Sequence, residues 1–166
     1  MKLPTLLIIT GLPATGKTTL ARRYAERYGA VHLNSDEVRA ELGLRGQYTP
    51  EAKQRVYEAL LARVRQALSA GRDVVMDSVL EREALREPFR RAAAECGAEC
   101  RWVQLRLRDA TARQRLSHPR PDSEATYEVY EKLRNEWEDI ADPHLSLQAD
   151  DATPDDLLSA VRKYAY

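Results

Sequence analysis

One stretch supplies phosphate chemistry by residue type and spacing. Gly11-Leu12-Pro13-Ala14-Thr15-Gly16-Lys17-Thr18 reads G-x-x-x-x-G-K-T, the pattern of a loop that cradles phosphate. Glycine at the fixed positions lets the backbone turn tightly and approach phosphate oxygens. Loop N–H groups and the N-terminus of the following helix then face the anion. Lys17 is placed to reach the β- and γ-phosphates, and the Thr18 hydroxyl to bind Mg²⁺. Pro13, Ala14, Thr15 and Thr19 complete the expected phosphate-facing set.

Three further groups suit the same chemistry. Asp36 and Arg39 stand three apart at the start of a helical pattern, so they share a face. Transfer of a phosphoryl group to a hydroxyl needs a carboxylate to orient the nucleophile and take its proton, and gains from a cation that fixes the acceptor. Asp36 suits the first role and Arg39 the second; the competing role for Asp36 is to stabilise the helix N-terminus. Asp77 ends the apolar run Val74-Val75-Met76, the Walker B arrangement, in which an acid beside the loop helps position Mg²⁺; Asp77 or Ser78 can also cap the next helix. Arg113, Arg115 and Arg120 surround the irregular segment Ser117-His118-Pro119-Arg120-Pro121-Asp122-Ser123. Arginines on such a segment can close over a triphosphate and stabilise developing charge. The expectation is a catalytic Arg115, with Arg113 and Arg120 on the nucleotide, in a lid over about residues 112–125. Tyr48, just past the Asp36–Arg39 helix, is a weaker acceptor-side candidate. Tyr57, Tyr24, Trp102 and Phe89 read as core. Among the histidines only His118, in the lid, has a suggestive position.

These residues need a scaffold that gathers them. Leu6 to Thr10 is an apolar, β-branched run expected of a buried parallel strand. Leu20, Ala21, Tyr24, Ala25 and Tyr28 repeat at helical spacing up to Gly29. Val31-His32-Leu33 is a short strand pattern, and Asn34 or Ser35 caps the helix from Asp36 to Leu42. Thr49-Pro50 opens a helix with a stripe of Val56, Leu60, Val64 and Leu68. Val74–Asp77, Trp102–Leu107 and Leu145–Leu147 read as strands. Helices are expected through Leu85, Phe89, Ala92 and Ala93 on to Gly97, over Ala112–Leu116 and Glu124–Ile140, and from Thr153-Pro154 through Val161. Strand and helix patterns alternate throughout, which predicts an α/β domain over residues 1–166: about five mostly parallel strands in a three-layer sandwich with flanking helices. Ligands of such sheets bind beyond the C-terminal strand ends, where the loop, Asp36, Asp77 and the arginine segment all fall.

Composition narrows the class. The chain has 166 residues, and its 26 Lys plus Arg balance 26 Asp plus Glu. Neutrality argues against a broad cationic nucleic-acid-binding face but leaves a local basic groove open. Cys96 and Cys100 do not complete a zinc site and read as reduced thiols. No apolar run is long enough to cross a membrane, and Met1-Lys2-Leu3-Pro4 leads directly into the first strand; the expected setting is cytoplasmic.

With these residues in view, the chain resembles the small P-loop kinases that include the kinase domain of bacteriophage-type polynucleotide kinase, the zeta toxins and many bacterial ATP-binding proteins. The resemblance runs over most of the length. It rests on Gly11–Thr18, on Asn34-Ser35-Asp36-Glu37-Val38-Arg39, on Tyr48-Thr49-Pro50 with the Tyr57 helix, on Gly71–Asp77, and on Arg113–Ala125. It implies ATP and Mg²⁺ as cosubstrates, transfer of the γ-phosphate to a hydroxyl of a small molecule or a nucleic-acid 5′ end, Asp36 as general base and Arg39 on the acceptor. The chain departs from that pattern in Ser78-Val79-Leu80, where relatives often carry an Asn, and in the two-residue spacing of Arg113 and Arg115. The alternative is a P-loop ATPase or nucleotide-dependent switch whose output is partner binding. The Asp-x-x-Arg pair suits an acceptor site better.

Overall fold

The computed structural model describes residues 2–118 and 125–166. Its strands are β1 (Thr5–Thr10), β2 (Val31–Asn34), β3 (Val74–Asp77), β4 (Glu99–Arg106) and β5 (His144–Gln148). Its helices are α1 (Lys17–Tyr28), α2 (Ser35–Glu41), α3 (Pro50–Ser69), α4 (Glu83–Glu95), α5 (Asp109–Leu116), α6 (Tyr127–Glu136) and α7 (Pro154–Ala165). The five strands form one sheet in the order β2-β3-β1-β4-β5, and every neighbouring pair is parallel.

Parallel strands are buried on both faces, and the sequence of β1 shows why a continuous apolar run was needed. Leu6 and Ile8 point into one core with Val56, Leu60, Val64 and Leu68 of α3 and Phe89 and Ala93 of α4. Leu7 and Ile9 point into the other, with Leu20, Ala21 and Tyr24 of α1 and Val161 of α7. Each fully buried Leu or Ile contributes about 1.5–3 kcal/mol through removal from water. The sandwich therefore has its helices on both sides of a central β1, and the loop after β1 emerges at mid-sheet.

Local signals act largely as read. The Thr49 hydroxyl accepts from Ala52 N at the start of α3, and Thr153 forms a reciprocal capping box with Asp156 on α7. Cys96 and Cys100 are free thiols, and burial pushes the Cys100 thiol up to about 12.

Two helices differ from the expected spans. The late helix ends at Glu136, with Trp137 extended at ψ 124°, and does not run on to Ile140. Arg86 accounts for the difference: its guanidinium donates to the carbonyls of Glu138 and Asp139, and Glu138 N donates to Glu81 O. The apolar residues beyond Trp137 continued the pattern, but Ile140 is buried by a non-helical strap. α5 starts at Asp109 and not at Ala112. Neither Asp109 nor Thr111 caps it: Thr111 donates to Asp150, while Asp109 accepts from Tyr130 and Arg134 of α6.

Candidate active site

The glycine loop is a built structure. Gly11 sits at φ +152°, and a Cβ there would run into the backbone carbonyl of Leu105; its demand for glycine comes from packing against β4 as well as from the turn. Ala14 adopts φ +73°, a left-handed conformation rare for a residue with a side chain. Gly16, at φ +91°, is the N-cap of α1, and open space surrounds the position of a missing Cβ. No side chain caps α1, so the positive end of the helix faces the loop directly. Thr15 Oγ1 donates to Leu12 O at 3.0 Å, and Lys17 Nζ reaches the same carbonyl at 3.0 Å, laying the ammonium across the loop.

Beside the loop lies a polar cluster centred on Asp77, which is 1% exposed. Asp77 pairs in register with Ile9 of β1 on one side and Asn34 of β2 on the other. Its Oδ1 accepts from Thr18 Oγ1 at 2.7 Å and from Asn34 Nδ2 at 2.7 Å, and Asn34 Nδ2 also lies 3.2 Å from Thr18 Oγ1. Its Oδ2 lies 2.6 Å from His32 Nε2. The structure thus brings Thr18 and Asp77 together as the motif reading expected, and adds two residues that reading passed over. Asn34 is a cap, since its Oδ1 accepts from Glu37 N at 2.8 Å, but its other end holds the carboxylate. An Asn missing after β3 is answered by one at the end of β2. The signal available was strand register: polar residues closing adjacent parallel strands must meet, and His32 lies on the same strand face as Asn34.

Asp36 follows two residues after Asn34, on the first turn of α2. Arg39 Nη1 donates to Asp36 Oδ1 at 2.9 Å, and the guanidinium stacks on the Tyr48 ring at 4.5 Å. Arg39 is 7% exposed, not a surface residue, while the Asp36 side chain is 44% exposed at the rim. Burial pushes the Tyr57 hydroxyl up to about 12. Tyr57 also packs edge-on against Phe89, as a core residue would.

The lid arginines separate. Arg115 Nη1 donates to Ala14 O at 2.9 Å and so rests on the phosphate loop. Arg113 is directed to α6, where it lies 4.4 Å from the Tyr127 ring centre and donates to its hydroxyl. Arg120, with the rest of residues 119–124 from the expected lid, lies outside the described residues.

The donors at the site fit a nucleoside triphosphate with Mg²⁺. The uncapped α1, the open space at Gly16 and the Lys17 ammonium suit an anion. Hydroxyl and carboxylate oxygens of Thr18 and Asp77 suit a hard cation that keeps most of its shell as water and phosphate. Among the described residues no group of three or more His, Cys, Asp or Glu could hold a metal alone.

Fold and loop define the class: a small α/β protein of the P-loop kinase-like type, with the glycine loop after its central strand. More particularly, the family model for the AAA domain designated AAA_33 matches residues 6–142, and the chain belongs to that family. An uncharacterized protein of Mycobacterium tuberculosis is 33% identical over 102 residues, covering 54% of this chain and 20% of that protein. The chain therefore spans about a fifth of the length of the curated relatives it matches. Among solved structures, the Mycobacterium tuberculosis APS kinase CysC in complex with AMPPNP and APS has a TM-score of 0.75 at 15% identity, covering 99% of this chain and 98% of that one. A gluconokinase from Sinorhizobium meliloti has a TM-score of 0.72 at 14% identity, covering 99% and 95%. At such identities these structures bear on the fold. No helix of the described residues is long and apolar enough to cross a membrane.

Proposed function

We propose that the protein is an ATP-dependent phosphotransferase that moves the γ-phosphate to an alcohol, with Asp36 as general base. The observation that carries this reading is the Asn34 side chain. It binds Thr18 and Asp77 on the phosphate side and opens the helix that presents Asp36 and Arg39 two and five residues later. One short segment thereby couples a phosphate site to a carboxylate–guanidinium pair, the juxtaposition that transfer to an acceptor requires.

In this reading the loop backbone and Lys17 bind the phosphates, with Pro13, Ala14, Thr15, Gly16 and Thr19 lining their path. Thr18 and Asp77 hold Mg²⁺, which supplies neutralisation of phosphate charge when bound. Arg39 fixes the acceptor and orients Asp36. The acceptor oxygen forms a bond to the γ-phosphorus, the bond from phosphorus to ADP breaks, and Asp36 takes the hydroxyl proton. Arg115, already on Ala14, meets the charge on the transferring group, and Arg113 and Arg120 are assigned to the nucleotide. The acceptor is a hydroxyl-bearing small molecule or a nucleic-acid 5′ end.

The test is incubation with γ-labelled ATP and Mg²⁺ against small hydroxyl compounds and 5′-hydroxyl oligonucleotides. Label moving to an acceptor supports the reading. Label appearing solely as inorganic phosphate, at a rate Asp36→Asn does not alter, would overturn it.

A further inference from the structure

Asp77 is held by a strand residue that the phosphate loop does not account for. β2 is an edge strand of the sheet, and it lies in parallel register with β3, His32 opposite Val75 and Asn34 opposite Asp77. Residues two apart on a strand share a face, so His32 and Asn34 project on the face that carries Val75 and Asp77. Val75 packs there with Leu20, Ala21 and Tyr24 of α1. A strand position under a helix calls for an apolar residue, and a polar side chain placed there needs a partner. The partner is Asp77. His32 Nε2 lies 2.6 Å from Asp77 Oδ2, and the two side chains are 12% and 1% exposed. A carboxylate accepts, so Nε2 carries the hydrogen and donates it.

The two carboxylate oxygens have separate tasks. Oδ1 accepts from Thr18 and from Asn34, both at 2.7 Å, while Oδ2 accepts from His32. Tied at both oxygens, the carboxylate plane is not free to swing about its Cβ–Cγ bond. That matters for the ion assigned to this place, because Mg²⁺ demands near-ideal geometry. It also takes oxygen in preference to imidazole, which puts the ring behind the acid and not on the ion. Groups that orient a metal's ligand in this way typically cost 10–100-fold in metal affinity when removed.

We propose that His32 is a positioning residue: its Nε2 donates to Asp77 Oδ2, fixes the carboxylate whose Oδ1 meets Thr18, and so sets how strongly Mg²⁺ enhances nucleotide binding at the loop. The proposal rests on the assignment of Thr18 and Asp77 to Mg²⁺ and deepens it. Nucleotide without metal is assigned to the loop backbone and Lys17, on which the His32 bond does not bear. The effect of His32 is therefore confined to the metal's contribution.

The test is calorimetry of AMPPNP binding to the full chain, with Mg²⁺ and with EDTA; the ratio of the two affinities is the Mg²⁺ enhancement. His32→Gln keeps an amide N–H at about the reach of the imidazole Nε2. His32→Asn keeps an amide that falls short, and His32→Leu has no donor. The enhancement is expected to fall about 10–100-fold in His32→Leu and His32→Asn and to stay close to wild type in His32→Gln, with metal-free affinity the same throughout. An enhancement unchanged in His32→Leu and His32→Asn, or lost equally in His32→Gln, overturns the proposal. So does a metal-free affinity that falls by the same factor, the mark of a merely structural role. Should His32→Leu fail to fold, His32→Asn against His32→Gln decides. A wild-type protein with no enhancement overturns the proposal together with the metal assignment. Phosphate transfer does not enter the measurement, so the kinase reading fails separately. A His32-dependent enhancement in a protein that phosphorylates no acceptor ends that reading and leaves this one; transfer to an acceptor with an enhancement indifferent to His32 does the reverse.

Discussion

Asn34→Asp separates the two tasks of one side chain. The substitution keeps an oxygen to cap α2, where Asp and Asn are equivalent, and replaces the amide donor that faces Asp77 Oδ1 at 2.7 Å. Losing a hydrogen bond to a buried charged group costs about 1.5–3 kcal/mol. Two carboxylate oxygens at that separation cannot both be ionised, so the new pair must hold a proton. A pair whose proton is held more tightly in the folded state stabilises the fold at low pH and loses that contribution as pH rises. Asn34→Asp is therefore expected to fall short of wild type by about 2–3 kcal/mol near pH 8, with the gap narrowing toward about pH 5. Asn34→Ala also loses the cap and is expected to cost about 2.5–4 kcal/mol with no such narrowing. Urea unfolding across pH measures both. An Asn34→Asp protein as stable as wild type, with a gap that does not change with pH, would refute the reasoning that this amide holds Asp77.

Other consequences follow from the same contacts. Arg86→Met strips the guanidinium from four backbone carbonyls; a loss of about 3–5 kcal/mol is expected in urea unfolding. Arg115→Ala removes an exposed side chain that rests on Ala14 O; phosphate transfer is expected to fall about 10²-fold while the unfolding free energy stays within about 0.5 kcal/mol. Tyr57 is held neutral by burial, up to about 12 against an ordinary 10. Its raised value stabilises the fold fully below pH 10, and that contribution is lost as pH rises from 10 toward 12; it amounts to about 2–3 kcal/mol. Urea midpoints on either side of pH 10 are expected to show a shallower alkaline loss in Tyr57→Phe.

The scaffold was legible because its signals are local and repeated. Continuous apolar runs marked β1 and β3, helical stripes marked α1 and α3, and Thr49-Pro50 and Thr153-Pro154 marked helix starts. The phosphate loop was legible for the same reason, being one contiguous motif. What escaped depended on register and on long-range contacts. His32 carries no pattern of its own; it matters because β2 lies beside β3 and its ring meets Asp77. Arg86 looked like one arginine among many on a helix, yet it is fully buried and ends α6 early by claiming the carbonyls of Glu138 and Asp139. Arg113 and Arg115 are indistinguishable by type, and their two-residue spacing sends them to different sides of α5. One meets the loop and the other meets Tyr127.

The central claim is that Asp36 removes a proton from an acceptor bound opposite the phosphate loop. Single-turnover transfer of the γ-phosphate by Asp36→Asn, read beside its affinity for Mg²⁺-ATP, tests it most directly. The account predicts transfer slowed by about 10²–10⁴-fold with nucleotide affinity unchanged, because Asp36 is assigned to the acceptor and pairs with Arg39 of its own helix. Transfer at the wild-type rate, or a loss of rate matched by a loss of nucleotide affinity, would contradict it.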